Sequence, residues 1–132
     1  MSKINKPTES ELEILSILWD KENATVKEVH EVIHQTKSVG YTTTLKLMQI
    51  MNEKGLVTRN MTNKKHIYTP VLIKEKIQEQ YVYQLIQDLF NGSSAALVLQ
   101  ALEINTISDK DFAAIVLKME QLETKKVTPL AL

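Results

Sequence analysis

His30-Glu31-Val32-Ile33-His34 spells H-E-x-x-H, the helical signature that holds zinc in metallopeptidases. Histidines four residues apart share a helix face, and the glutamate between them is placed to act as a general base. Glu53, nineteen residues after His34, is available as a third ligand. The metzincin continuation is missing, because Lys37 and Gly40 stand where glycine and histidine belong. The apolar residues around the motif, Val26, Val29, Val32 and Ile33, put His30 at the edge of a buried face and turn His34 to solvent. A chain of 132 residues also leaves little room for a substrate groove. The expectation is therefore solvated or hydrogen-bonded histidines, with no metal, no cofactor and no catalysis. A small zinc peptidase built on His30, Glu31 and His34 is the alternative. No Gly-rich phosphate loop and no nucleophile elbow is present.

A different chemistry is concentrated between Gly40 and Pro70. Lys46, Lys54, Arg59, Lys64 and Lys65 stand there against Glu53 alone, whereas the whole chain balances Lys+Arg 16 against Asp+Glu 16. Local positive charge of this kind is what phosphate binding requires. The same stretch predicts one helix, a break and a hairpin. Thr42 precedes Leu45, Met48 and Met51 at helical spacing and is expected to cap the helix. Lys54-Gly55 closes it with a cation in the last turn and a left-handed glycine. Leu56–Arg59 and His66–Thr69 are β-prone, and the five residues Met61–Lys65 form the loop between them, with Asn63 able to take positive φ. A helix followed by a basic hairpin is the second half of a winged helix-turn-helix.

The composition limits the alternatives. Apolar residues make up 43% of the chain, enough for a core, and there is no cysteine for disulfides, thiolate metal sites or cysteine catalysis. No run is long enough to span a membrane, and MSKINKPTESELEIL lacks a signal-peptide core, so a soluble cytoplasmic protein is expected. Aromatic residues, at 5%, are too few for a base-stacking platform.

The remaining elements position the basic stretch. Residues 1–7 read as a polar arm. Thr8-Glu9-Ser10-Glu11 opens a helix whose stripe is Leu12, Leu15, Leu18 and Trp19, with Trp19 expected as a core anchor. Asn23-Ala24 breaks it, and Thr25 starts a second helix that ends near Thr36. After Pro70 the pattern is helical throughout. Ile73, Ile77, Tyr81, Leu85 and Leu89 mark one helix, stopped by Asn91-Gly92. Ser93/Ser94 cap a short one, Ala95–Leu102, and Ser108 opens the last, with Phe112, Ile115, Val116, Met119 and Leu122. The fold class is mainly α: a winged helix-turn-helix of three helices and a β-hairpin wing over residues 1–70, then an all-α region over 71–132. Three apolar helices in about sixty residues are marginal alone, so burial against a second copy is expected. Ile77, Tyr81, Leu97, Val98, Phe112, Ile115 and Met119 are the residues placed in that homodimer interface.

Several blocks of this chain together resemble the penicillinase-repressor family of bacterial winged-helix transcriptional repressors, over nearly the full length. They are T-E-S-E-L-E-I-L-S-I-L-W, Y-T-T-T-L-K-L-M-Q-I-M-N-E-K-G-L-V, I-Y-T-P-V-L and L-F-N-G-S-S-A-A-L-V. The resemblance implies a homodimer on a palindromic operator, released by an inducing signal. Asn63-Lys64 stands where the family's wing tip carries Gly-Arg, and Ile50 where it commonly has Arg. The copper-responsive branch has a cysteine-rich tail, which this chain lacks. The β-lactam-responsive branch implies a membrane sensor peptidase as partner and a cut at an Asn-Phe bond; the matching place here is Gln100-Ala101, which is not expected to be cut in that way.

The expected function is a sequence-specific repressor binding double-stranded DNA. Thr42, Thr43, Thr44 and Lys46 are expected at the major groove, with Arg59, Asn63, Lys64 and Lys65 along the wing. A winged helix used only for protein contacts is a second alternative.

Overall fold

A computed structural model describes residues 6–127 of the chain. Most of the expected N-terminal arm and the last five residues lie outside that range. The first two helices start on reciprocal caps. Thr8 Oγ1 accepts from the Glu11 amide at 3.2 Å while the Thr8 amide donates to Glu11 Oε1 at 2.9 Å, opening α1 (Glu9–Lys21). Thr25 and Glu28 repeat the arrangement at 3.1 and 2.8 Å to open α2 (Val26–His34). The third helix, α3 (Tyr41–Lys54), begins earlier than its threonines suggest: Gly40 is the N-cap, with no side-chain hydrogen bond, and Thr42 already lies inside the helix. Gly55 ends α3 at φ 84°, and the amide of Leu56 reaches back to the Met51 carbonyl at 2.9 Å. That left-handed residue is where a side chain would be strained.

The hairpin is longer and tighter than expected. β1 (Val57–Thr62) pairs antiparallel with β2 (Lys65–Pro70), Val57 opposite Pro70 and Thr62 opposite Lys65. Only Asn63 and Lys64 remain in the turn, at φ 49° and 63°. Two successive positive-φ residues are the type I′ geometry, whose twist matches that of the strands it joins. The five-residue loop expected over Met61–Lys65 is therefore a two-residue turn. Ala24, which only breaks α1 in the sequence pattern, also pairs with Tyr68: its amide donates to the Tyr68 carbonyl at 3.0 Å and its carbonyl accepts from the Tyr68 amide at 2.8 Å.

Ile14, Leu15, Leu18, Val29, Met48, Met51, Leu56 and Tyr68 close the core between the three helices and the hairpin. Trp19 packs at its margin, half-buried, and its Nε1 donates to the Leu72 carbonyl at 2.9 Å. This bond fixes the chain as it leaves the wing. The chain forms two compact units, one ending at Tyr83 and the other beginning at Gln84. The first unit takes in the start of α4 (Lys74–Leu89), where Ile77 is 5% exposed. Tyr81 donates to the Pro7 carbonyl at 3.3 Å, and the Lys6 ammonium lies 5.2 Å from the centre of its ring.

In the second unit, Asn91 and Gly92 take positive φ after α4, and Ser93 caps α5 (Ser94–Ile104), which outruns the expected Ala95–Leu102 at both ends. Ser108 accepts from the Asp111 amide at 3.1 Å to open α6 (Asp109–Val127). No residue of α5 is buried, and none of α6 as far as Lys126.

Candidate nucleic-acid interface

The outward side of α3 carries Thr42, Lys46, Gln49 and Glu53, all exposed and spaced as one helical face. The start of α3, the start of α2 and the hairpin enclose a groove of about 310 Å³. Its polar rim is Lys27, Tyr41, Gln49, Arg59, Lys65 and His66. Arg59 lies directly opposite Tyr68 in the hairpin register, so both project to the same side of the sheet. Burial of Tyr68 anchors that side to the core and aims Arg59 along the groove. Asn63 and Lys64 are exposed at the tip of the wing. Thr43 is exposed too, on the other flank of α3, beside a small recess that Glu13 and Lys37 share; those two form an ion pair at 3.0 Å.

Two of the expected assignments are corrected here. Thr44 is 2% exposed, and its Oγ1 lies 3.0 Å from His30 Nδ1. A hydroxyl in the core, already hydrogen-bonded, is not presented to DNA. Leu45, as expected of its stripe, packs partly buried against the core and also lines the groove. Lys54, counted among the cations of the basic stretch, is bound elsewhere. Its ammonium meets Glu11 Oε2 at 2.7 Å and Oε1 at 2.9 Å. Burial alone would push the Glu11 carboxyl up, but hydrogen bonds from Lys54 and the Thr8 amide outweigh it and hold the group below its ordinary value. The cations left on the α3 and wing surface are Lys46, Arg59, Lys64 and Lys65, all exposed.

Lys27, Tyr41, Gln49 and His66 join the rim without having been expected there. Gln49 had a signal, since it follows Thr42 by seven residues and Lys46 by three. Lys27 had none, because its proximity to Arg59 and Lys65 exists only once the hairpin folds back on α2.

His30 serves the core through Thr44. Its ring is stacked on His34 with centroids 5.6 Å apart and meets the edge of Tyr41 at the same separation. Glu53 is exposed at the end of α3. Among the described residues no group of three or more His, Cys, Asp or Glu side chains converges.

Of the residues placed at a dimer interface, two are otherwise engaged. Ile77 belongs to the core of the first unit and Tyr81 is bonded to Pro7. Leu97 and Ile115 are half-buried, while Val98, Phe112 and Met119 are exposed. Gln100 and Ala101 are exposed within α5. Among the described residues no helix is long and apolar enough to cross a membrane.

The sequence model of the family described as Penicillinase repressor matches residues 7–121, from the residue before the α1 cap into α6. This chain belongs to the penicillinase-repressor family. The penicillinase repressor of Bacillus licheniformis is 21% identical over 126 residues, which is 96% of this chain and 98% of that one. The transcriptional regulator BlaI of Mycobacterium tuberculosis is 28% identical over 105 residues, 78% of this chain and 76% of its own length. A solution structure of the DNA binding domain of the repressor BlaI is similar, with TM-score 0.49 and 22% identity; it covers 56% of this chain and 90% of that one. In penicillinase-repressor terms, the matched span takes in both the α3–wing surface and the start of α6.

Proposed function

We propose that this penicillinase-repressor family member is a cytoplasmic homodimer that represses transcription by occupying a palindromic operator. Residues 1–70 form the binding module, and the region after it, within 71–132, joins the two copies through α5 and α6. The observation that carries the reading is the exposed α3 face, Thr42, Lys46 and Gln49, set beside a wing whose Arg59, Lys64 and Lys65 are all exposed. A helix of this kind fits the major groove, with the side chains of its first turns at base edges and the wing on flanking phosphates. Lys46 is suited to guanine O6 and N7, and Thr42 and Thr43 to phosphates or base edges. The family match supports DNA as the partner over protein contacts alone.

The exposed apolar residues of α5 and α6 support the homodimer, since a second copy would cover them. Release by an inducing signal belongs to the same reading. A sensor peptidase that cuts in α5 must first unwind that helix at Gln100-Ala101, and alanine offers it no large ring to hold.

The test separates the two kinds of contact. Lys46→Ala should cost about 1–3 kcal/mol on the preferred site and much less on unrelated DNA. Lys64→Ala should weaken both alike and flatten the slope of log K against log salt by about one unit. If neither change alters operator binding, the surface is misassigned.

A further inference from the structure

We propose that His30 and His34 form a two-histidine site for a divalent transition-metal ion on the surface of α2. The proposal rests on how the rings are held and not on the DNA reading. The two residues are one helical turn apart, and their rings are stacked with centroids 5.6 Å apart and planes 30° from parallel. His30 is fixed on three sides. Its Nδ1 is 3.0 Å from Thr44 Oγ1, the edge of Tyr41 meets its ring, and His34 covers its other side. Thr44 is itself 2% exposed, so the anchoring oxygen does not move with solvent.

The contact with Thr44 is open to either tautomer, and an ion on the far nitrogen selects the one in which Nδ1–H donates. When Nδ1–H donates to Thr44, the lone pair of the imidazole is left on Nε2, the nitrogen away from the core. A ligating histidine whose second nitrogen is tied to an oxygen is the usual arrangement in metal sites, because the bond sets both tautomer and orientation. His34 is exposed and leaves the stack to turn its own ring towards the same ion, with His30 still held by Thr44 and Tyr41. Two neutral imidazoles with no cysteine nearby select borderline ions, in the order Cu²⁺ above Ni²⁺ and Zn²⁺. With no third His, Cys, Asp or Glu converging among the described residues, water completes the coordination. The H-E-x-x-H spacing is thus read as a chelate and not as a peptidase centre. An ion there sits one hydrogen bond away from α3.

Titration of the full chain with Cu²⁺ alone tests this, followed by calorimetry and by electron paramagnetic resonance. The chain holds three histidines, so His66→Gln on the wing is the internal control. The expected result is one Cu²⁺ per chain, with two imidazole nitrogens in its spectrum, unchanged in His66→Gln. Linking two ligands on one scaffold raises avidity by about 10²–10⁴-fold, so His34→Gln should lower affinity by roughly the smaller figure. His34 is exposed, so that variant keeps its fold. His30→Gln should lose the site as well, and Thr44→Val should weaken it about 10- to 100-fold while leaving both imidazoles in place. Binding that survives His34→Gln, that is lost in His66→Gln, or that never appears in the unaltered chain overturns the proposal.

Discussion

Leu15, Leu18, Met48, Met51 and Leu56 of the first unit are wholly buried, whereas Leu99, Phe112 and Met119 of the second are each more than half exposed. Both units are built from amphipathic helices of similar length, so composition does not explain the contrast. The first unit adds a hairpin whose Tyr68 closes the core across α1 and α2, and two reciprocal caps fix where its helices begin. The second has capped helices but no such closing layer. It is a unit with local structure in place and its apolar side chains exposed, as the proposed homodimer requires.

The contrast can be broken most directly by charging the open face. Phe112→Asp in the full chain should leave amide-exchange protection of the first unit unchanged while sedimentation falls to the monomer mass. Operator affinity should drop by about 10²–10⁴-fold, the avidity of two linked modules. A dimer that persists in this variant would place the interface elsewhere. Next in size is a cavity in the closed core. Leu18→Ala should destabilise the first unit by about 2–5 kcal/mol in denaturant unfolding. Leu99→Ala should instead change mainly how strongly unfolding depends on protein concentration.

The smallest expected effect concerns the Glu11–Lys54 pair. Lys54→Met leaves a buried carboxylate with only its Thr8 bonds, at a cost of about 1–3 kcal/mol near neutral pH, towards the lower end because Lys54 is partly exposed. The pH dependence follows from the sign of the shift. The folded Glu11 carboxyl lies below its ordinary value, so its stabilisation is fully present above the unfolded pKa and is lost as pH falls through the folded one. Acid titration of stability in Lys54→Met should therefore show a smaller loss in that window. An unchanged acid profile would mean that Thr8 alone holds the proton off.

Local chemistry was legible in the sequence and long-range pairing was not. Thr8, Thr25, Gly55, Ser93 and Ser108 each do what their types and neighbours predict, because caps and stops act within one turn. Asn63 takes positive φ, but Lys64 does too, and only the strand register reveals that the turn has two residues. Thr44 resembles its exposed neighbours Thr42 and Thr43 in type, and only the fold shows it buried beside His30, fourteen residues away. Lys54 resembles a phosphate-binding cation until Glu11, forty-three residues back, is found beside it. Ala24 reads as a helix break and is also a third strand partner. The stripe through Ile77 and Tyr81 was correctly apolar, but periodicity says only that a face is buried, not against what.

Trp19 gives the molecule an optical asymmetry. It is the single tryptophan in the chain, half-buried, with its indole N–H held by the Leu72 carbonyl. Its emission therefore registers the environment of the first unit and of the strap leaving the wing. Far-ultraviolet dichroism, by contrast, sums the helices of both units. Melting curves followed by the two signals will superimpose only if the units unfold together. If they separate on dilution, the gap between them measures, without any added label, how much of the second unit's helix depends on a partner.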